Sequence, residues 1–429
     1  MMHEFETLVV GGGPAGIAAA VCAAEHGVRV GLIDDNPSAG GQIWRGSAKG
    51  TDNSHRGSAT GWQHRLNNPR ITQLQGWSVF EQASSGSLRA EHNSSSADLR
   101  FEKLILATGA RERFLPFPGW TLPNVMGVGA IQAMVKTGLP VHGKRVVIAG
   151  SGPLLLAVAA FLKSAGAKVV CVCEQASASQ LLPFAIGLVK TPGKIIEGVR
   201  YKAATLDVPF HTSAWPVEAL GDRKLNAVTL SVHGKTKTLD CDYLACGFHL
   251  VPNTELAALV GCELSNGAVV VDEWQQTSVS NIYCAGEPTG IGGVELSLTE
   301  GQIAGLVVAG QKEKAHALFG QRKKFTRFAA GLAQAFALRS ELKALPTETT
   351  LICRCEDVAY GAVQRHHSWR AAKLHTRCGM GPCQGRICGT ATEYLLGWNA
   401  GSVRPPIFPA LVSSLASHPE PEFQKTEGD

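Results

Sequence analysis

The sequence nowhere offers the roughly 20 unbroken apolar residues that a bilayer-spanning helix needs. Its most apolar stretch, Val146 to Leu162, is broken by Gly150, Gly152 and Pro153, and it reads as a buried strand, turn and helix. The first apolar strand starts by about Phe5, too early for a leader peptide with its basic and apolar regions. These absences predict a cytoplasmic protein with no transmembrane segment. Charge is also sparse. Only 17% of the residues are charged and the net charge is +5, with no Lys/Arg block or aromatic-basic stripe, so nucleic acid is not an implied partner. No acid–base pair or nucleophile–histidine constellation stands out, and the 14 histidines are scattered. Cysteine, by contrast, is plentiful at twelve. In a reducing compartment, clustered cysteines mean metal or redox chemistry more often than disulfides.

What is present begins with a nucleotide signature. Length alone (429 residues, 45% hydrophobic) suggests two to three domains with ample core material. The strand Leu8-Val9-Val10 runs into Gly11-Gly12-Gly13-Pro14-Ala15-Gly16, and a small-residue helix follows from Ile17 to Ala24. Gly11 allows the tight turn, Gly13 leaves room for a pyrophosphate, and Gly16 lets helix and strand pack closely. The helix N-terminus offers free N–H groups to that pyrophosphate. A second strand, Val28 to Ile33, ends in Asp34, 23 residues after Gly11, where such a site places its ribose acceptor. The alternative is a tight strand–helix turn with no ligand.

The loop Asp35 to Arg45 follows. Gly40 and Gly41 free its backbone for a close approach, and Gln42 and Arg45 supply hydrogen-bonding groups; the plain alternative is a surface loop around a packed Trp44. Residues 46–62 are polar and read as an exposed excursion, and 77–102 read as short alternating strands with a turn at 93–96. Leu104 to Leu106 is another buried strand, and it ends in the small-residue turn Ala107-Thr108-Gly109-Ala110; Pro116, Pro118 and Gly119 then mark a crossover between domains. A second strand–turn signature starts at Arg145. Here Leu155 replaces the third glycine of Gly150-Ser151-Gly152-Pro153-Leu154-Leu155, which narrows the phosphate approach. A second Rossmann half is expected, with nicotinamide binding in doubt. The segment Thr277 to Glu287 reads as a returning strand that ends in Gly286-Glu287, and a helix is expected from Ser297 to Ala309.

Five cysteines lie between 353 and 388: Cys353-Arg354-Cys355, then Cys378, Cys383 and Cys388. The polar segment 345–350 before them reads as a linker. Zinc prefers Cys-x₂₋₄-Cys knuckles, whereas a [2Fe–2S] cluster needs four thiolates and tolerates unequal spacing. Iron–sulfur ligation is the favoured reading, with zinc and free thiols as the alternatives.

Cys-x-Cys-Glu-Asp followed by Thr-Arg-x-Gly-Met-Gly-x-Cys-Gln-Gly resembles the bacterioferritin-associated-ferredoxin-like [2Fe–2S] domain. The whole order resembles the α subunit of heteromeric flavin amine dehydrogenases, a group that includes opine oxidases, D-hydroxyproline dehydrogenase and hydrogen cyanide synthase. The resemblance implies an α/β two-dinucleotide-binding-domain flavoprotein. It would comprise an FAD-binding domain (1–118 and 276–345), an inserted, degenerate NAD-like Rossmann domain (119–275) and a small α-rich [2Fe–2S] domain (346–429). It also implies FAD on Gly11, Gly13, Pro14, Ala15, Gly16, Asp34, Gly41, Gln42, Thr108, Gly109, Gly286 and Glu287. The cluster would sit on Cys353, Cys355, Cys383 and Cys388, with Cys378 left over as a fifth candidate. Glu287 stands where the family more often has Asp. The second half leaves room for a structural adenine nucleotide. The implied partners are a flavin-bearing β subunit of the amine-oxidase type, which oxidises the substrate, and a small ferredoxin-like third chain; through them the protein would lie peripheral to the inner membrane. The implied role is electron relay in amino- or imino-acid oxidation. Two alternatives remain. A self-sufficient NAD(P)H-dependent flavin reductase would carry a Cys-x-x-Cys pair before its second glycine turn, yet Thr121 to Gly143 contains no cysteine. A scaffold would hold nucleotide and cluster only for assembly.

Overall fold

The computed structural model describes residues 2–44, 56–188, 192–399 and 403–416. Strand β1 (Met2–Val10) enters the middle of a seven-stranded sheet and turns directly into helix α1 (Pro14–Glu25). Pro14 stands at the start of α1, where its missing N–H costs nothing. Alanines and glycine dominate α1, and every residue from Ala15 to Ala24 is buried. The sheet runs β3 (Ile71–Gln75), β2 (Val30–Asp34), β1, β6 (Ser95–Leu106), β5 (Ser87–His92), β4 (Ser78–Ser84). The strand Ile282–Cys284 comes back after nearly two hundred residues to pair in parallel with β6, Ile282 beside Leu104. That pairing makes the first domain discontinuous in sequence.

The helix Val294–Val308 crosses α1 at backbone contact. A Cβ on Gly301 would collide with the carbonyl of Ala15, and one on Gly305 with that of Ala19. Close crossings of this kind need small residues on both helices, and the sequence supplies them on both.

Between the two passes of the first sheet lies a second, all-parallel one. Its five strands run β11 (Phe210–His211), β10 (Lys168–Glu174), β9 (Arg145–Ser151), β15 (Tyr243–Phe248), β8 (Val125–Gly127). A three-stranded antiparallel meander, β12 (Ala214–Leu220), β13 (Ala227–Val232) and β14 (Lys235–Asp240), accompanies it. Two short crossovers, β7 (Ala110–Glu112) and β16 (Leu250–Pro252), pair antiparallel where the chain passes between the sheets. Leu155 is buried in the core of the second half with Val128, Val158 and Leu162. It therefore fills the helix–strand gap that a glycine would have closed.

Two expectations change here. The polar stretch 46–62 is not wholly an exposed excursion: 46–55 lie outside the described residues, but from Arg56 a helix runs to Arg65, with Ala59 buried and Trp62 packed on the core. Apolar Ala59, Trp62 and Leu66, spaced along one face, account for it. The segment 345–350 is not a loose linker. Leu342 and Leu345 join the core of the second half, Thr350 is buried, and Trp120 Nε1 donates to the carbonyl of Leu351 at 2.6 Å. The cysteine-rich lobe (short strands Leu351–Cys353 and Val358–Ala359, helices Tyr360–Gln364, Trp369–Thr376 and Cys388–Leu396) meets the crossover β7 through Arg111 and the Arg386 carbonyl. No helix among the described residues is long and apolar enough to cross a membrane.

Candidate functional site: a nucleotide cleft and a thiol cluster

The first glycine turn is built as a cradle. Gly11 has φ +109, and a Cβ there would strike the Ala107 carbonyl. Around Gly13, in contrast, an added Cβ would meet no protein atom within 4 Å. Gly13 has ordinary extended backbone and caps α1 with no side-chain hydrogen bond, so the α1 N-terminus opens onto free space. Gly41 packs on the Cα of Gly13, and the Gly40 N–H donates to the Gly12 carbonyl at 2.7 Å. Gln42 is exposed on the short helix Gly41–Trp44, and Arg45 lies outside the described residues. Asp34 is buried at the end of β2. One carboxylate oxygen accepts the Gly12 N–H and the other accepts the Asn36 N–H at 2.7 Å. Gly286 comes down on Ala15, and its N–H donates to Glu300 Oε2 at 2.9 Å. Beside it, Glu287 is half-buried, and burial alone pushes its carboxyl up to about 7. The sequence-derived residues 11–16, 34, 41, 108–109 and 286–287 thus converge on the carboxyl edge of one sheet, where such folds hold their ligands. Open space over Gly13 and a half-buried acid raised by burial fit a dinucleotide's pyrophosphate and polyol.

The second glycine turn repeats the acid of the first and differs at its open edge. Glu174, the acid at the end of β10, has one oxygen on the Gly152 N–H and the other on the Ala176 N–H, both at 2.8 Å. Ser151 Oγ donates to the carbonyl of Phe336 at 3.1 Å. Gln175 Nε2 reaches Ser151 Oγ and the carbonyl of Ala337, and the Arg339 N–H donates to Gln175 Oε1. The chain's own residues 336–339 therefore lie along the edge where a second nucleotide would sit. They use up the polar groups of Ser151 and Gln175.

The cysteines gather in one lobe. The sulfurs of Cys353, Cys378 and Cys388 lie within 4.8 Å of one another, all buried. The neighbouring thiols of Cys378 and Cys388, with the backbone N–H groups of Gly379 and Glu356, push the Cys353 thiol down. The same contacts push the Cys378 thiol up to about 12 and raise Cys388. Cys355 is exposed and interacts with the half-buried Cys383 through the latter's backbone N–H and sulfur. All five sulfurs thus sit in the one lobe, and Cys378 lies inside the group rather than apart from it. Such a donor set, rich in sulfur and backbone N–H groups, fits a soft metal or an iron–sulfur centre. Cys171 and Cys173, 3.8 Å apart in sulfur, are buried in the second half's core together with Cys241 and Cys246.

Sequence reading missed the residues that connect these sites. Asn253, just past β16, donates from Nδ2 to the Thr108 carbonyl at 2.9 Å and accepts from Thr108 Oγ1 through its own carbonyl at 2.6 Å. Arg111 donates to Asn253 Oδ1 at 2.7 Å, pairs with Glu255 at 2.9 Å, and donates to the carbonyl of Arg386 at 3.3 Å. Arg386 stands between Cys383 and Cys388. Glu300 was also missed. It is a buried acid on an apolar helix that accepts from Gly286 N and Thr289 Oγ1 and pairs with Arg322 at 3.2 Å. An acid amid Leu298, Ile303 and Leu306 was the available signal.

The likeness to known proteins follows the same outline. Residues 5–312 match the family described as Pyridine nucleotide-disulphide oxidoreductase. The chain belongs to that family. It is 30% identical to hydrogen cyanide synthase subunit HcnB of Pseudomonas aeruginosa over 89% of this chain and 90% of that one. It is equally 30% identical to an opine oxidase subunit of Rhizobium meliloti, over 98% of this chain and all of that one. Among solved structures, L-proline dehydrogenase from P. horikoshii shares the fold with a TM-score of 0.68 at 19% identity, covering 97% of this chain and 80% of that one. Thioredoxin reductase from T. acidophilum shares it over 72% of this chain and 99% of its own, with a TM-score of 0.56 at 22% identity. The protein is thus an oxidoreductase of the flavin and nucleotide-binding type.

Two outcomes are expected at the first cleft. Because no protein atom opposes a Cβ at Gly13, Gly13→Ala should leave the fold within about 1 kcal/mol of the parent. The same methyl should cut dinucleotide occupancy at least tenfold, read by denaturing extraction and chromatography; full occupancy contradicts the cradle. At Glu287, a folded-state pKa of about 7 against an ordinary 4.5 means that the folded protein binds the extra proton between those values. This group's contribution to stability therefore falls as pH rises from about 4.5 to 7. Thermal melts of the cofactor-free protein should show Glu287→Gln gaining on the order of 2 kcal/mol at pH 8 and almost nothing at pH 4. An equal effect at both values contradicts a burial-raised acid.

Proposed function

We propose that this chain is the FAD- and [2Fe–2S]-carrying subunit of a heteromeric amino- or imino-acid dehydrogenase of the D-hydroxyproline or opine type, acting on CH–NH or CH–NH2 donors. A separate flavin-bearing subunit of the amine-oxidase type oxidises the substrate, and a small ferredoxin-like chain completes the complex. When bound, the flavin and the cluster supply two-electron storage and one-electron relay. The chain's own residues bind and orient them. Gly11 to Gly16 and the α1 N-terminus take the pyrophosphate, Asp34 the ribose and Glu287 the ribityl chain. Cys353, Cys355, Cys383 and Cys388 hold the cluster, and Cys378 is a buried neighbour in the same sulfur group.

The observation that carries this reading is that the thiol lobe is seated on the crossover of the dinucleotide domain, with Arg111 bonded to both. Two carrier sites on one chain suit a relay. Electrons then enter across an interface, and cytoplasmic partners near the inner membrane are expected to supply and remove them. Glycine as substrate is the second reading, favoured by the equal likeness to HcnB. A self-sufficient NAD(P)H reductase is disfavoured by residues 336–339 lying over the second glycine turn.

Expressed alone, the protein should carry cofactor and cluster yet give no dye-linked oxidation of D-hydroxyproline, opines or glycine. Co-expressed with its partner chains it should elute as a larger complex and reduce the dye with one of them. Oxidation by the lone chain at the rate of the complex would place the substrate site here and overturn the reading.

A further inference from the structure

Arg386 is the cation inside the cysteine loop. Its side chain is only 15% exposed. Every part of the guanidinium has a fixed neighbour. Nε lies 3.7 Å from Glu255 Oε1. Nη1 donates to the Cys383 carbonyl at 3.3 Å and to Gln384 Oε1 at 3.2 Å. Nη2 donates to the Ile407 carbonyl, and the ring of Phe408 covers one face with its centre 4.1 Å away. The same Glu255 oxygen binds Arg111 at 2.9 Å, and Arg111 reaches Thr108 through Asn253. Two arginines thus share one carboxylate at the seam between the lobe and the crossover. Arg386 thus lies two residues before Cys388, its guanidinium bonded to the backbone of Cys383.

A buried cation is costly unless something uses its charge, and one shared carboxylate does not neutralise two arginines. Reduction adds one electron to a thiolate-ligated cluster and makes it more negative by one charge, with no bond made or broken. A fixed positive charge beside a ligand favours the reduced form, and a partly buried site screens it less than water does. We propose that Arg386 is a positioning residue, held in register by Glu255, whose charge raises the reduction potential of the cluster bound in this loop and so draws electrons from the flavin side. This rests on the reading of the thiols as a [2Fe–2S] site.

The test is an EPR-monitored redox titration of the purified full-length protein, dithionite as reductant, with iron and sulfide assayed in each sample. Arg386→Gln should keep its iron, and its cluster reduction equilibrium should fall about tenfold, which is 59 mV for a one-electron couple. Glu255→Gln removes a negative charge from the same place and should move the potential upward. Arg386→Lys keeps the charge and should stay near the parent. Opposite signs at Arg386 and Glu255 are something a merely structural role does not produce. Parent-like potentials in both glutamine variants, with iron retained, overturn this proposal and leave the cluster reading standing. A parent protein without iron overturns the cluster reading, and this proposal with it. Should Arg386→Gln shed its iron, the other two decide: a rise in Glu255→Gln beside an unchanged Arg386→Lys supports the proposal, and no rise overturns it.

Discussion

The crossover between the two Rossmann sheets is the constraint on which the rest depends. β7 and β16 pair there in antiparallel register, Ala110 opposite Pro252. Asn253 stitches that two-stranded ribbon to the turn that faces Gly11. Arg111 and Trp120 fasten the cysteine lobe to the same place, one through the Arg386 carbonyl and the other through that of Leu351. The third lobe sits across the crossover, with polar contacts on both sides. Those contacts tie both candidate cofactor sites to one seam.

The second half carries the same lesson. Its strands, turn and acid keep the nucleotide-binding outline, Glu174 holding the backbone of its turn as Asp34 does in the first half, yet Leu155 fills the helix–strand gap. Residues 336–339 then occupy the open edge. The second half also serves as a seat. It supports the segment that leads into the cysteine lobe, and Tyr394 of that lobe donates back to the Arg339 carbonyl.

Much of this was legible in the sequence because it is local. A glycine turn needs strand, glycines and helix within a few residues, so Gly11 to Gly16, Asp34 and the returning Gly286-Glu287 could be placed from spacing and resemblance. Cys353 to Cys388 announced themselves by density. Long-range pairings left no such trace. Nothing near Asn253 marks it as the partner of Thr108, 145 residues earlier. The polar letters at 345–350 suggested a tether because Leu342 and Leu345, which bury themselves in the second core, flank the stretch rather than fill it. Cys378 lay outside the resemblance-derived ligand set, and only folding brings its sulfur beside Cys353 and Cys388. The polar stretch at 46–62 hid a helix because its apolar face is one residue per turn.

The central claim is that one chain holds a flavin and an iron–sulfur centre on a shared rigid seam. Its most direct measurement is the visible spectrum of the protein purified under anaerobic conditions, paired with cofactor extraction and metal analysis. The account predicts flavin bands overlaid by a broad red-shifted iron–sulfur envelope, FAD in the extract, and iron with matching labile sulfide. Zinc in place of iron, or a spectrum with no flavin, would contradict it.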